Sequence, residues 1–350
     1  MFGFKKTIPI KRLLAMRFSA MGDVAMTVPV LHALATQHPD LRITMLTRTR
    51  LVPLFEWMPA NVQVQGVDFA EKDGAAGLTK LYMSLRDGHF DAVADLHDVL
   101  RTKFLRTCFK VDGTRVATVD KKRKDRHALI GNGQTHEPLR PMTERYADVF
   151  RSLGLDVDLT QPMHIDLRSE SMSAVWHLGG HKQKGERWVG VAPFAAHAQK
   201  VYPLERMKQV VELLIADGCK VFLFGAGKAE TEVLNSWTDE NIITCGTLGG
   251  LRGEMLLMSQ LNLMISMDSA NMHIASLMGV PVLSIWGATH PKAGFVAYGQ
   301  TADSIVQLNL PCRPCSIYGN KPCHLGDMRC MDIAPEDIAN KALKIIGSSK

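Results

Sequence analysis

The sequence predicts an α/β protein made of two doubly wound parallel-sheet domains, and three observations support this. The chain has 350 residues, which is enough for two domains with full cores. Apolar runs of strand length alternate with segments of helical spacing in both halves. The hydrophobic fraction of 46% and the charged fraction of 22% are ordinary for a globular protein that is not embedded in a membrane.

The first half shows five cycles of this alternation. Apolar runs predict strands at 13–18, 42–46, 62–67, 91–96 and 115–119. Helical spacing predicts helices at 24–37, 51–57, 78–86, 99–110 and 142–153. The loop 131–141 contains glycine and proline and is expected to be mobile.

The second half restarts the pattern. Strands are predicted at 188–191, 220–224, 242–244, 263–267 and 282–286. Helices are predicted at 171–178, 204–216, 253–261 and 335–346, with one more directly after Gly227. We therefore predict a first domain over 1–165, a second over 166–334 that includes a cysteine-rich stretch at 312–330, and a terminal helix within 335–350.

The stretch 263–291 has the pattern of one strand–helix–strand unit and contains the strongest candidate site. Asp268 and Ser269 follow the first strand and suit the N-cap of the helix. The small Ala270 lets a ligand approach the backbone, and free N–H groups at a helix start favour a phosphate or diphosphate. His273 lies on the same helix face as Ser269. A simple helix cap and a buried core histidine are the alternative interpretations.

Asp23 is the candidate base of the first half. It follows the first predicted strand, so it lies at the sheet edge where ligands of doubly wound folds bind. There it could accept a proton from a hydroxyl, or simply cap the next helix. The loop has one glycine and lacks the G-x-G-x-x-G pattern, which disfavours an NAD-dependent oxidoreductase.

The net charge is +6, and the basic residues are clustered. One cluster contains Lys5, Lys6, Lys11 and Arg12, and a second runs over 101–126. Such clusters suit an anionic membrane surface or a phosphorylated lipid. Nucleic acid is a weaker interpretation because no recognised binding motif accompanies the charge. A basic loop that is simply solvated, with no ligand, is also possible from the sequence.

Four of the seven cysteines fall in one segment with the spacing C-x2-C-x7-C-x6-C. They are Cys312, Cys315, Cys323 and Cys330. In a reducing compartment this spacing suggests a structural metal such as zinc more than disulfides, although it is looser than that of a zinc ribbon.

We expect a cytoplasmic protein. No window approaches ~20 consecutive apolar residues, so no spanning helix is predicted. The first 20 residues are partly basic but contain no long apolar region with a cleavage site, so we expect no signal peptide.

The run RFSAMGDVAMTVPVLHALATQHPDLRITMLTR at 17–48 resembles the opening of the lipopolysaccharide heptosyltransferases, glycosyltransferase family 9. The resemblance continues at 193–200, at FGAGKAE and at SMDSANMHIASLMGVPVLSIWGATHP, and it is weak over 70–185. It implies a GT-B architecture, with two Rossmann-like domains and a cleft between them. The implied reaction is an inverting, metal-independent transfer of heptose from ADP-heptose to the inner core of lipopolysaccharide.

The resemblance also implies roles for individual residues. Asp23 resembles the general base, and Lys200 resembles the lysine that neutralises the leaving diphosphate. Glu230 resembles the carboxylate that meets the donor ribose, with Glu232 as a second possible register. The donor-binding turn is matched by Asp268, Ser269, Ala270 and His273. Ala270 stands where the family usually has glycine.

The expected acceptor is of lipid A–core type, held at the inner leaflet of the membrane. Charge placement alone suggests that the basic cluster binds acceptor phosphates, with Lys103, Arg106 and Arg123 as candidates. Two alternatives stay open. One is a transferase of the same fold that uses another nucleotide sugar, such as a hexose donor. The other is a non-catalytic binder of phosphorylated lipid or nucleic acid.

Overall fold

The computed structural model describes residues 9–69, 74–161, 163, 165, 167, 169–246 and 248–348. The chain divides into two compact units. The first unit contains Met1–Lys121 and Thr143–Met163, and the second contains Lys122–Met142 and His164–Lys350. Two residues of the predicted basic cluster, Lys5 and Lys6, lie outside the described residues.

The first unit contains a parallel sheet of five strands. These are β1 Arg12–Met16, β2 Arg42–Arg48, β3 Val62–Val67, β4 Ala92–Asp95 and β5 Arg115–Thr118. The first six helices in chain order are α1 Met21–Ala25, α2 Val28–Gln37, α3 Gly74–Arg86, α4 Leu100–Val111, α5 Arg123–Leu129 and α6 Met142–Arg151. Of these, α5 belongs to the second unit. The strand order is β3-β2-β1-β4-β5, so the winding direction switches between β1 and β4. Ligands of doubly wound sheets bind at the carboxyl ends of the strands beside this switch.

The second unit contains a parallel sheet of six strands. These are β6 Arg187–Ala192, β7 Cys219–Leu223, β8 Ile242–Thr244, β9 Leu263–Met267, β10 Val282–Trp286 and β11 Ile305–Gln307. Its later helices are α7 Ser173–Gly179, α8 Leu204–Ala216, α9 Gly227–Asn235, α10 Leu251–Met258, α11 Ala270–Leu277 and α12 Pro335–Ser348. The order β11-β10-β9-β6-β7-β8 places the switch between β6 and β9. The predicted fold class, two doubly wound parallel sheets, is confirmed.

The sheets are covered on both faces, which explains their sequence. β4, β9 and β10 are buried along their whole length, as expected for parallel strands with helices on either side. Their apolar runs therefore reflect burial on two faces. Within the described ranges, none of the helices combines the length and apolar character needed to cross a bilayer.

Two predicted helices of the first unit differ from the observed ones, and proline explains both. The helix predicted over 24–37 is divided into α1 and α2, with Thr27 at the N-cap of α2. Pro29 lacks an N–H group and is accommodated in the first turn of α2, where that group would have no partner in the helix. The helix predicted at 51–57 is a 3-10 helix, Thr49–Phe55, with Pro53 inside it.

The segment 122–142 packs on the second unit, although it follows the first sheet in the chain. Gly131 N–H donates to Pro314 O at 3.0 Å, and Gly133 N–H donates to Arg313 O at 2.8 Å. Leu139 N–H donates to Lys292 O at 2.8 Å. The expected mobile loop is therefore tied to the second unit by backbone hydrogen bonds. The predicted domain boundary at residue 165 assigns the segment 122–142 to the first domain. The predicted ranges and roles of the domains stay predictions.

The terminal helix is part of the second unit's core. The predicted helix at 335–346 is observed as α12, which packs on α8. Its residues Ile338, Ala342 and Ile346 are buried in the same cluster as β6, β7 and β9. The predicted domain ranges separate 335–350 from the second domain, whereas α12 completes that domain's core.

Candidate active site

Lys200 and Asp268 meet at the switch point of the second sheet. Lys200 ends the 3-10 helix Ala198–Lys200, which follows β6, and Asp268 comes directly after β9. Because β6 and β9 are neighbours, their carboxyl ends bring the two side chains together. Lys200 Nζ lies 2.9 Å from Asp268 Oδ2. Thr289, after β10, donates its hydroxyl to the same oxygen at 2.8 Å.

This ion pair is mostly shielded from water. The side chain of Lys200 is 14% exposed and that of Asp268 is 9% exposed. Removing two charges from water carries a desolvation penalty, so fixed neighbours are needed to hold such a pair. A lysine ammonium has three donors, so contact with Asp268 still leaves donors for an anionic ligand. The pair can therefore present positive charge to a phosphate group.

The start of α11 lies beside this pair. Ser269 occupies the N-cap position, as predicted, and in the described part of the chain its hydroxyl makes no capping bond. That hydroxyl instead lies 3.1 Å from Ser266 Oγ. Ala270 is the first residue of α11, and His273, one turn later, is 6% exposed. The geometry places this predicted turn at the switch point, while the roles of its residues stay predictions.

Glu230 lies at the same sheet edge. It is in the first turn of α9, which follows β7, and β7 is adjacent to β6. Its Oε2 accepts a hydrogen bond from Ala226 N–H at 2.7 Å and so caps the start of its own helix. Glu232, the alternative register, has a side chain that is 66% exposed and lies 3.7 Å from Lys228 Nζ. Glu230 is thus the more enclosed of the two carboxylates.

Asp23 lies at the switch point of the first sheet. It is on α1, after the loop that leaves β1. Its Oδ2 lies 2.9 Å from Arg17 Nη2 and accepts a hydrogen bond from Ala20 N–H at 3.3 Å. Arg17 also donates to Leu96 O, and its guanidinium lies 5.3 Å from the ring centroid of Tyr146. The carboxylate is 24% exposed, so a substrate hydroxyl can reach it.

His97 follows β4 on the other side of this switch point and is absent from the sequence-based candidates. Its Nδ1 accepts the Phe18 N–H at 3.4 Å, and its Nε2 lies 3.4 Å from Ser19 Oγ, in the loop that leads to Asp23. Burial, followed by the charges of Arg17 and Lys121, lowers the pKa of His97 to about 3. Asp23 opposes this shift, and Arg48 adds the smallest lowering effect. The ring is neutral near pH 7. The only signal in the sequence is its position after a predicted strand.

More cations lie at this edge of the first sheet. Arg48 ends β2, and its guanidinium carbon is 6.0 Å from the ring centroid of Phe69. Arg101, at the start of α4, is 4.9 Å from the same ring. Together with Lys121 and Arg17 they make this sheet edge electropositive.

Lys103 and Arg106, two of the three predicted acceptor-binding residues, lie near the same carboxylate, Asp98. Arg106 lies 2.8 Å from Asp95, which is fully buried, and 3.1 Å from Asp98. Lys103 lies 3.7 Å from Asp98, and Arg123 is an exposed residue at the start of α5 in the second unit. Arg106 therefore neutralises a buried carboxylate. An acceptor role for the three residues stays a prediction.

The four clustered cysteines are free thiols. Burial and the three neighbouring thiols raise the pKa of Cys315 to about 11. Across the described ranges, no three Cys, His, Asp or Glu side chains are arranged to hold a metal ion. Structural zinc therefore stays a prediction.

Arg313, which lies between Cys312 and Cys315 in the chain, is fully buried. Its guanidinium donates to four backbone carbonyls, those of Trp286, Gly287, Thr289 and Leu308. The distance is 3.1 Å to Trp286 O and 2.8 Å to Thr289 O. Burial lowers its pKa to about 10, so it still carries its charge at neutral pH. Nothing in the sequence indicates this role, because an arginine within a cysteine motif is ordinarily exposed.

Comparison with known proteins identifies a family. The family model described as glycosyltransferase family 9 (heptosyltransferase) matches residues 78–324. The chain is 22% identical over 288 residues to the lipopolysaccharide core heptosyltransferase OpsX of Haemophilus influenzae, covering 80% of each chain.

Two solved structures share the fold. A glycosyl transferase family 9 structure from Veillonella parvula superposes with a TM-score of 0.76 at 20% identity, covering 97% of this chain and 98% of that one. The structure of E. coli ADP-heptose LPS heptosyltransferase II gives a TM-score of 0.69 at 18% identity, covering 97% and 99%. At these identities the structures show a shared fold only.

Proposed function

The chain belongs to glycosyltransferase family 9, the heptosyltransferases, and we propose that it transfers heptose from ADP-heptose to the lipopolysaccharide inner core. The observation that carries this proposal is the Lys200–Asp268 pair beside the start of α11, at the switch point of the second sheet. The relatives' names support the choice of substrates: one acts on the lipopolysaccharide core, and another is an ADP-heptose enzyme.

The second unit is the proposed donor domain. The N–H groups at the start of α11, with Ser269 and Ala270, would face the diphosphate, since helix N-termini bind phosphate groups. Lys200 would neutralise the charge that develops on the leaving diphosphate. Glu230 would accept hydrogen bonds from ribose hydroxyls, and His273 would support the same turn.

The first unit is the proposed acceptor domain, with Asp23 as general base. The Asp23 carboxylate takes the proton of the acceptor hydroxyl as that oxygen attacks the anomeric carbon. The new carbon–oxygen bond forms while the bond to the diphosphate oxygen breaks on the opposite face, and ADP leaves. This displacement inverts the anomeric centre. Arg17 holds Asp23 Oδ2, so Oδ1 would accept the proton.

The proposed acceptor is anionic and of lipid A–core type, presented at the inner leaflet on the cytoplasmic side. The support is the electropositive sheet edge around Asp23, formed by Arg17, Arg48, Arg101 and Lys121. We favour Arg48 and Arg101 over Arg106 as phosphate contacts, because Arg106 already neutralises buried Asp95. Guanidinium groups recognise phosphate through paired donors.

We propose that the transfer is independent of a divalent metal. A lysine and a helix N-terminus can stabilise a leaving diphosphate by charge alone. Unchanged turnover in the presence of EDTA would support this proposal, and restoration of activity only by added Mg²⁺ would contradict it. The predicted zinc is checked separately by elemental analysis of the purified protein.

The test is a transfer assay with ADP-heptose and a heptose-deficient lipopolysaccharide acceptor. We expect an added mass of one heptose, inverted configuration at the new linkage, and release of ADP. A parallel reaction with UDP- and ADP-linked hexoses decides between donors. Transfer of a hexose alone would keep the transferase and reject heptose, and tight acceptor binding without transfer from any donor would favour a non-catalytic binder.

A further inference from the structure

The cysteine-rich segment, defined here as residues 308–331, packs against the lysine of the proposed donor site. Gly319 is buried, and its φ of +74° is one that favours glycine. A Cβ built on Gly319 would overlap Lys200 Cγ and lie 2.6 Å from Lys200 Cδ. The backbone at Gly319 thus lies directly on the aliphatic stem of Lys200.

The same segment also holds the partner of that lysine. Arg313 donates to three carbonyls, that of Trp286 at the end of β10 and those of Gly287 and Thr289 in the turn after it. Cys315 N–H donates to Ala288 O, in the same turn, at 2.8 Å. Thr289 in turn donates its hydroxyl to Asp268 Oδ2, which is the atom that pairs with Lys200.

We propose that the cysteine-rich segment positions Lys200 for the leaving diphosphate, with Gly319 and Arg313 as positioning residues. Gly319 restricts the lysine stem, and Arg313 fixes the turn that orients Asp268 through Thr289. This inference rests on the proposed function, because it assigns the task for which Lys200 is held.

The physical gain is preorganisation. A free lysine side chain samples many rotamers, and ordering it when the donor binds would cost affinity. Contact with Gly319 restricts the stem before the donor arrives, and a charge fixed in place needs little rearrangement during bond breaking. Arg313 suits its part because a planar guanidinium can donate to several carbonyls at once, whereas the compact ammonium of lysine cannot span them.

Gly319→Ala tests the contact, and Gly299→Ala is the matched control. Gly299 has nearly the same φ, +73°, and lies in open space, with no heavy atom of another part of the chain within 4 Å of an added Cβ. Both variants therefore carry similar backbone strain, but only Gly319→Ala displaces Lys200. The first measurement is the rate at which trinitrobenzenesulfonate modifies Lys200, followed by peptide mass spectrometry. The second is the Kd for ADP.

We expect faster modification of Lys200 and about tenfold weaker ADP binding in Gly319→Ala, and neither change in Gly299→Ala. In a Lys200→Ala background, Gly319→Ala should cause no further loss of ADP affinity. Arg313→Lys, which keeps the charge, should change both quantities in the same direction and serves if Gly319→Ala does not fold.

If Gly319→Ala and Arg313→Lys both fold and Lys200 is modified at the wild-type rate in each, the proposal is overturned. An equal loss of ADP affinity with and without the Lys200 side chain would also overturn it, since the effect would then be general strain. If the wild-type protein does not bind ADP, the proposed donor fails, and the modification rates still decide whether the segment positions Lys200.

Discussion

At the scale of single residues, Asp23 carries the proposed proton transfer. Replacing it with Asn keeps an oxygen that can accept from Arg17 but removes the basic carboxylate. We expect kcat to fall about 10²- to 10⁴-fold, the usual contribution of a general base. The free energy of unfolding should fall by only ~1 kcal/mol, because one charged hydrogen bond is weakened.

The matched control for that variant is Asp40→Asn, at an exposed aspartate of the same unit. It should leave kcat and unfolding unchanged. If the kcat of Asp23→Asn falls by about threefold or less, the loss is far smaller than that expected for a general base, and Asp23 is excluded from this role.

His97 gives a prediction for pH. Its pKa is lowered to about 3 in the folded protein, whereas an unfolded chain has the ordinary value of 6.5. As the pH falls below 6.5, the unfolded state binds a proton that the native state does not bind, so the protein loses stability down to about pH 3. Between pH 7 and pH 5 this amounts to about 2 kcal/mol.

Urea unfolding of the wild type and His97→Asn at several pH values between 5 and 7.5 measures this contribution. The variant should lose less stability than the wild type on acidification, even if it is less stable at pH 7. Parallel pH profiles for the two proteins would show that His97 does not remain neutral in the native state.

The sequence indicated Asp23 and Asp268 because each follows an apolar strand at a sheet edge where ligands bind, whereas Lys200 was indicated by the family resemblance. It did not indicate Arg17 or His97, because their importance comes from strands β1 and β4 being neighbours. Arg313 was missed for another reason: a buried guanidinium is explained only by carbonyls far away in sequence, such as that of Gly287.

At the scale of elements, the positions of β1 to β10 followed closely from the apolar runs, while the short strand β11, the helix ends and the loop 131–141 did not. A strand buried on both faces is mostly apolar, as in β9 and β10, so its sequence locates it. The loop 131–141 has no regular secondary structure, and its backbone hydrogen bonds to residues such as Pro314 leave no mark on the side-chain pattern.

Gly133→Ala tests the attachment of this segment. An added Cβ would lie 2.6 Å from Arg313 O and 2.8 Å from His290 Cδ2. We expect the free energy of unfolding to fall by about 1–3 kcal/mol, as for other overpacked sites. Gly347→Ala, in α12 with open space at its Cβ, should change it by at most ~0.5 kcal/mol. Equal effects of the two substitutions in denaturant titrations would contradict this packing.

At the scale of the whole molecule, each sheet has one switch point, and each switch point carries one half of the proposed chemistry. The first presents a carboxylate among cations, and the second presents a lysine beside a helix start. Strand order explains why His97 lies beside the loop that leads to Asp23. It also explains why Lys200 and Asp268 meet, although they are about 70 residues apart in the chain.

Thermal unfolding with ADP, UDP, GDP or TDP, each with EDTA present, tests whether the second unit binds an ADP-linked donor. A ligand that binds only the native state stabilises it by about 2.7 kcal/mol at 100 times its Kd. We predict that ADP raises the Tm most, that Lys200→Ala abolishes this rise, and that Lys208→Ala, at a surface lysine of α8, retains it. A larger rise with another nucleotide, or the same ADP response in Lys200→Ala, would contradict the ADP-sugar site proposed for the second unit.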